Sequence, residues 1–70
     1  MRLSTRNQLS GTITEVTPGA VMATVKVRLD GGDQIVTASI TKDAVEDLGL
    51  ETGKPAMVLI KSTEVMIGVD

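Results

Sequence analysis

The chain has 70 residues, with nine acidic and seven basic side chains and no cysteine, histidine or aromatic residue. A chain of this length forms one small domain, and a core of Val, Ile, Leu, Met and Ala alone is marginal at that size, so we expect an obligate or near-obligate oligomer. The missing cysteine and histidine exclude disulfides, thiolate or imidazole metal sites and the common nucleophile–base pairs of enzymes. The acidic balance and the missing aromatic rings argue against nucleic acid as a partner.

The sequence also lacks the signals of a secreted or membrane protein. Its N-terminus has no apolar run of the signal-peptide kind, and no stretch approaches the roughly 20 apolar residues that span a bilayer. We therefore expect a soluble, cytoplasmic protein that has no membrane or nucleic-acid partner and is not an enzyme.

Alternation of apolar and polar residues predicts five short strands, because strict period two is typical of a strand buried on one face. The clearest pattern covers residues 20–29, where Val and Ala alternate with Thr, Lys and Arg. A turn at Thr17-Pro18-Gly19 separates it from the strand before it. The five predicted strands span residues 9–16, 20–29, 34–40, 55–60 and 65–69.

A short helix is predicted over Lys42–Leu48, between the third and fourth strands. Thr41 precedes it as an N-cap, whose hydroxyl accepts from a free backbone N–H of the first turn. Ile40 and Val45 are spaced as a hydrophobic staple across that cap, and Gly49 suits the left-handed residue that ends a helix. Five strands with one helix in this place predict an all-β, OB-like Greek-key barrel, forming a single domain over residues 1–70.

Two groups of acidic residues carry weaker indications. Those on the predicted helix are best explained as its solvated face. Asp30 and Asp33 flank two glycines, where a hard cation is conceivable, but the ligand count of a calcium loop is missing and a hairpin turn is favoured. Neither group predicts a metal site or a catalytic pair.

The most informative residues stand near the two ends of the chain. Ser4 and Arg6 precede the first strand, and Lys61 and Ser62 follow the fourth. Brought together, two cations and two hydroxyls would form a donor-lined pocket for a compact oxyanion, because charge-assisted hydrogen bonds are stronger than neutral ones. Each pair alone is more often a surface feature, and neither composition nor periodicity brings the pairs together.

Two motifs together are fairly specific: Ser-x-Arg-Asn-x-Leu-x-Gly at residues 4–11, and Ile-Lys-Ser at residues 60–62 before an apolar stretch. On these residues the chain resembles the molbindins, small molybdate-binding proteins of the Mop type with a TOBE/OB-like domain. The resemblance covers nearly the whole length. Further matching residues are Gln8, Ile13, Gly19-Ala20-Val21, Gly31-Gly32, Ile40-Thr41, Leu48-Gly49-Leu50 and Thr63.

The resemblance implies a concrete function. Molbindins assemble as homohexamers, trimers of dimers, and bind molybdate or tungstate at subunit interfaces as intracellular stores or buffers. Family members also have sites on the threefold axis, near which Gly19 and Ala20 are expected to lie. The implied ligand contacts in this sequence are Ser4, Arg6, Lys61 and Ser62, with Thr41 added from the helix start of a neighbouring subunit.

One departure from the family pattern concerns the residue three positions beyond that threonine. Family members often have serine there, whereas this chain has Ala44. A hydroxyl contact is therefore missing, and the Ala44 N–H is expected to remain available to the anion. We expect weaker or altered binding rather than none.

The competing hypothesis is an OB-like oligomerisation or regulatory module with no ligand of its own. Under that hypothesis Arg6 and Lys61 form ion pairs with carboxylates of another subunit. The feature that distinguishes the two is whether these cations meet an acidic side chain or a pocket lined only by donors.

Overall fold

A computed structural model describes residues 1–70, and four strands form one antiparallel sheet. The strands lie side by side in the order β3-β2-β1-β4, an OB-like half-barrel that confirms the predicted all-β class. One short helix, α1, connects β3 to β4 as predicted. The elements are β1 (Asn7–Pro18), β2 (Met22–Leu29), β3 (Ile35–Thr41), α1 (Lys42–Leu48) and β4 (Pro55–Ile60).

The long strand β1 pairs with different neighbours along its two halves. Its first half pairs with β4, from Asn7 opposite Ile60 onwards, and its second half pairs with β2, ending with Pro18 opposite Ala23. The pairing of β1 with β2 shifts register between Ile13 and Glu15, so that Thr14 forms a bulge in β1. A bulge of this kind bends and twists a strand. The two ends of β1 therefore belong to opposite ends of the sheet.

The core is small and lies on one face of the sheet. Ile13 of β1 and Val25 and Val27 of β2 form its buried centre, which confirms the period-two pattern of the second predicted strand from Met22 onwards. Val21, predicted on the same face, precedes β2 and is 71% exposed. The partly buried side chains of Ile40 and Val45, which flank the N-cap, both pack against this centre. Only five of the 70 residues are buried, so the chain by itself leaves much apolar surface exposed.

Local signals define the helix. The Thr41 hydroxyl accepts from the Ala44 N–H at 3.1 Å, which confirms the N-cap. Gly49 ends the helix with φ +62°, in the left-handed region that glycine adopts at little cost. The bounds are those predicted, Lys42–Leu48.

The predicted fifth strand is wrong. After β4 the chain forms a single 3-10 turn, Ser62–Glu64, and residues 65–70 adopt no regular secondary structure. The alternation of residues 65–69 favours an extended backbone, but a strand also needs a hydrogen-bonded neighbour, and no strand of this chain pairs with them. Their side chains are exposed, to 91% for Met66 and 93% for Val69.

Candidate functional site

A polar cleft opens where β1 begins and β4 ends. Asn7 and Ile60 are the outermost pair of these two strands, and the chain segments beyond them separate to form the two rims. The cleft has a volume of about 410 Å³ and no hydrophobic residue in its lining. Its lining consists of Ser4, Thr5 and Arg6 on one rim and Lys61, Ser62 and Thr63 on the other.

The structure therefore brings together the two predicted pairs, Ser4 with Arg6 and Lys61 with Ser62, which lie near opposite ends of the sequence. Neither Arg6 nor Lys61 forms an ion pair within the chain, whose two ion pairs join Lys26 to Glu15 and Lys54 to Glu51. No carboxylate lines the cleft. Within one chain, the cations thus face a cleft of donors and not an acidic partner.

Four hydroxyls complete the lining, and two of them were missed by sequence reasoning. Thr5 and Thr63 lie beside the predicted Ser4 and Ser62, so their adjacency in sequence was the available signal. Each hydroxyl can donate one hydrogen bond, and the two cations donate several more. Two cations and four hydroxyls make an arrangement suited to an anion and unsuited to a metal cation. The chain has no histidine or cysteine, and nowhere do three of its carboxylates cluster so that they could hold a metal ion.

The side-chain carboxamides of Asn7 and Gln8 form hydrogen bonds next to the two rims. Asn7 Nδ2 donates to the Ile60 carbonyl at 3.0 Å, across the two strands. Gln8 Nε2 donates to the Thr5 carbonyl at 2.7 Å, within the first rim. On the second rim the Glu64 N–H donates to the Lys61 carbonyl at 2.9 Å, which closes the 3-10 turn.

Thr41 and Ala44 lie away from this cleft. Thr41 pairs with Met22 at the start of β2, beside the end of β1, whereas the cleft lies at the beginning of β1. The Ala44 N–H already donates to the Thr41 hydroxyl. The expectation that this N–H stays available to an anion is therefore not met, because the N-cap uses it.

Gly19 and Ala20 also lie outside the cleft, in the exposed turn between β1 and β2. The Gly19 N–H donates to the Met22 carbonyl at 2.7 Å, which closes the turn. This turn belongs to the same end of the sheet as Thr41, since Met22 is the partner of Thr41. One chain thus carries the two sets of predicted site residues at opposite ends.

The other polar features behave as local structure. The segment with Asp30 and Asp33 is a hairpin connection, closed where the Leu29 N–H donates to the Gln34 carbonyl at 2.8 Å. The seven-residue α1 keeps its acidic side chains exposed, which fits a solvated face. No helix of the chain is both long and apolar enough to cross a membrane.

Known proteins match this chain over its whole fold. The TOBE domain family model matches residues 3–67. Molybdenum-pterin-binding protein 3 of Clostridium pasteurianum is 46% identical over 67 residues, which cover 96% of this chain and 97% of that protein.

Two solved structures also match this chain. A molybdate-binding protein from Sporomusa ovata matches with a TM-score of 0.90 at 35% identity, over 99% of this chain and 100% of that one. The cytoplasmic molybdate-binding protein ModG, solved with molybdate bound, matches with a TM-score of 0.92 at 44% identity, over 100% of this chain and 49% of the ModG chain.

The fold, the donor-lined cleft and these matches together define the class of protein. The chain belongs to the TOBE domain family, and within it to the Mop-type molbindins. The resemblance carried by the motifs at residues 4–11 and 60–62 is thereby confirmed.

Proposed function

We propose that this protein binds molybdate, or tungstate, in the cleft between the two rims and serves as a cytoplasmic store or buffer of that oxyanion. The observation that carries the proposal is that Arg6 and Lys61 line one cleft with four hydroxyls and no carboxylate. The similar protein ModG supports the ligand, because it was solved with molybdate bound. ModG is a cytoplasmic protein, which supports the proposed location.

The chemistry of the lining suits the proposed ligand. Molybdate is a tetrahedral dianion that carries no proton near neutral pH, so every oxygen accepts hydrogen bonds. A set of donors satisfies it fully, whereas protonated phosphate needs an acceptor for its own proton. Sulfate has the same charge and shape, so discrimination against sulfate must depend on the size of the closed site.

The cleft of a single chain is too large and too open for the ligand alone. Its volume of about 410 Å³ is more than ten times the roughly 30 Å³ that one water molecule occupies in the liquid. An anion of five heavy atoms leaves much of that space unfilled. We therefore propose that a neighbouring copy closes the cleft and that its Thr41, which lies at the far end of its own sheet, contributes the remaining hydroxyl.

Exposed apolar side chains support assembly. Five buried residues make a small core, and apolar residues such as Val21 at 71% and Ile67 at 87% exposure remain in contact with water. Large exposed apolar patches are characteristic of protein–protein interfaces. We propose the homohexamer, a trimer of dimers, that the family resemblance implies, with no nucleic-acid or membrane partner. Additional anion sites near Gly19 and Ala20, on its threefold axis, are part of the same proposal.

The test is a calorimetric titration of the sized oligomer with molybdate, tungstate and sulfate in parallel. We expect heat from molybdate or tungstate and little from sulfate, with a stoichiometry that is a simple fraction of the number of chains. Absence of binding by all three anions would contradict the proposal. That result, together with an intact oligomer, would favour the alternative, an OB-like oligomerisation module whose cations pair with carboxylates of another copy.

A further inference from the structure

One hydrogen bond joins the two chain segments that carry the cations. Asn7 Nδ2 donates to the Ile60 carbonyl at 3.0 Å, and both residues are half-buried. Arg6 directly precedes Asn7, and the Ile60 carbonyl belongs to the peptide group that leads into Lys61. The bond therefore adds a side-chain connection to the last backbone pair immediately below the cleft.

The sheet can open at this point. Asn7 and Ile60 form the last pair of β1 and β4, and strand ends fray at low free-energy cost. The cations beyond them repel each other, and neither has a carboxylate partner within the chain. Without a cross-strand restraint, ligand-free rims would separate, and binding would then have to order them again.

The second carboxamide provides a useful contrast. Gln8 Nε2 reaches the Thr5 carbonyl, three residues away on the same rim, so it shapes that rim without connecting it to the other. Among the side-chain hydrogen bonds at this end of the sheet, the Asn7 bond is the one that crosses between the Arg6 and Lys61 segments. Asn7 itself does not line the cleft.

We propose that Asn7 is the positioning residue of the oxyanion site: it makes no contact with the anion and holds Arg6 and Lys61 at their binding distance before the anion arrives. This inference rests on the proposed function. An asparagine meets the requirement because its amide donates to a carbonyl without adding a negative charge beside the anion.

The decisive variant is Asn7→Leu, which removes the amide at similar volume, and its matched control is Thr14→Val. Thr14 Oγ1 donates to the Lys26 carbonyl at 3.3 Å, so the control removes the same kind of bond between β1 and β2, away from the cleft. If Asn7→Leu does not fold, Asn7→Ser replaces it, with the same expected direction.

Two measurements test the proposal. The first is amide hydrogen exchange without ligand, at the Glu64 N–H of the second rim and at the Leu29 N–H of the distant hairpin. In Asn7→Leu we expect Glu64 to exchange about tenfold faster, as loss of one restraining hydrogen bond implies, with Leu29 unchanged. The second is molybdate titration, in which Asn7→Leu should bind about tenfold more weakly and Thr14→Val as the wild type does.

Each other result has a defined meaning. Unchanged Glu64 exchange, or faster exchange with wild-type affinity, would overturn the positioning role of Asn7. Equal loss of affinity in Thr14→Val would overturn it too, because the effect would then be global. If the wild type binds no molybdate, the proposed function fails, and the exchange of Glu64, which needs no ligand, still decides whether the Asn7 bond keeps the second rim ordered.

Discussion

The hydroxyl oxygen of Thr41 accepts a hydrogen bond from the Ala44 backbone N–H at 3.1 Å. This bond satisfies one of the free N–H groups at the start of α1 and leaves the proton of the hydroxyl free to donate elsewhere. Thr41 can therefore cap its own helix and, in an assembly, donate to an anion held by a neighbouring copy. The Ala44 N–H is already used by this cap, so the proposed function assigns the contact with the anion to Thr41 alone.

Replacing Thr41 separates these two roles. Thr41→Val removes both the cap and the donor, so we expect a loss of about 1 kcal/mol in the free energy of unfolding and weaker molybdate binding. Thr41→Asp keeps a good cap but adds a negative charge, so stability should be retained while molybdate binding is lost. Urea unfolding and calorimetry measure the two effects. Thr37→Val, at an exposed position of β3, is the control, and wild-type affinity in Thr41→Asp would remove Thr41 from the site.

Arg6 should contribute more to molybdate binding than an arginine outside the cleft. Arg6→Ala removes a cation that lines the cleft, and a hydrogen bond to a charged group contributes about 1.5–3 kcal/mol, so we expect roughly 10- to 100-fold weaker molybdate binding. Arg28→Ala is the matched control, because Arg28 is an exposed arginine of β2 outside the cleft. Titration of both variants at one ionic strength is required, since surface charges act through screened interactions. Equal effects of the two substitutions would show that only overall charge matters.

Gly11 lies where β1 changes partners, opposite Leu29 of β2 and Ala56 of β4. A Cβ atom there would lie 2.5 Å from the Arg28 carbonyl oxygen and 2.6 Å from Val27 Cγ1, closer than packed atoms tolerate. We expect Gly11→Ala to lower the free energy of unfolding by about 1–3 kcal/mol, the usual cost of overpacking.

Gly32→Ala is the control for that change, because nothing lies within 4 Å of a Cβ at Gly32. Its stability should stay within about 0.5 kcal/mol of the wild type, as for most surface substitutions. Urea unfolding of the two variants gives the comparison. If Gly11→Ala were as stable as Gly32→Ala, the close approach of β1 and β2 at this point would be contradicted.

What the sequence predicted correctly was mostly local. The bounds of α1 follow from a cap at Thr41 and a left-handed residue at Gly49, both of which act within a few residues. The same capping rule assigns the Ala44 N–H to the Thr41 hydroxyl, so its expected availability conflicted with the predicted cap from the start. The strand pattern of β2 was equally clear because alternate residues enter the core.

What the sequence missed depends on contacts between distant segments. Residues 65–69 alternate as a strand does, but pairing requires a neighbour that this chain does not supply. The cleft joins residue 6 to residue 61 through the register of β1 and β4, which no local pattern encodes. Only the family resemblance linked the two segments, and it did not extend to Thr5, a variable position of the motif.

The exposed C-terminal segment, residues 65–70, provides the test of assembly. Ile67 is 87% exposed in the single chain, and we expect it to be buried between copies. Ile67→Asp should therefore shift the oligomer towards smaller species in light scattering at micromolar concentration, because burying an unpaired charge is costly. Thr52→Asp adds the same charge in the exposed loop before β4 and should leave the assembly intact. Since a ligand bound only by the oligomer stabilises it by mass action, molybdate should partly restore the assembly of Ile67→Asp. A wild-type monomer, or an unchanged assembly in Ile67→Asp, would contradict the burial of this segment between copies.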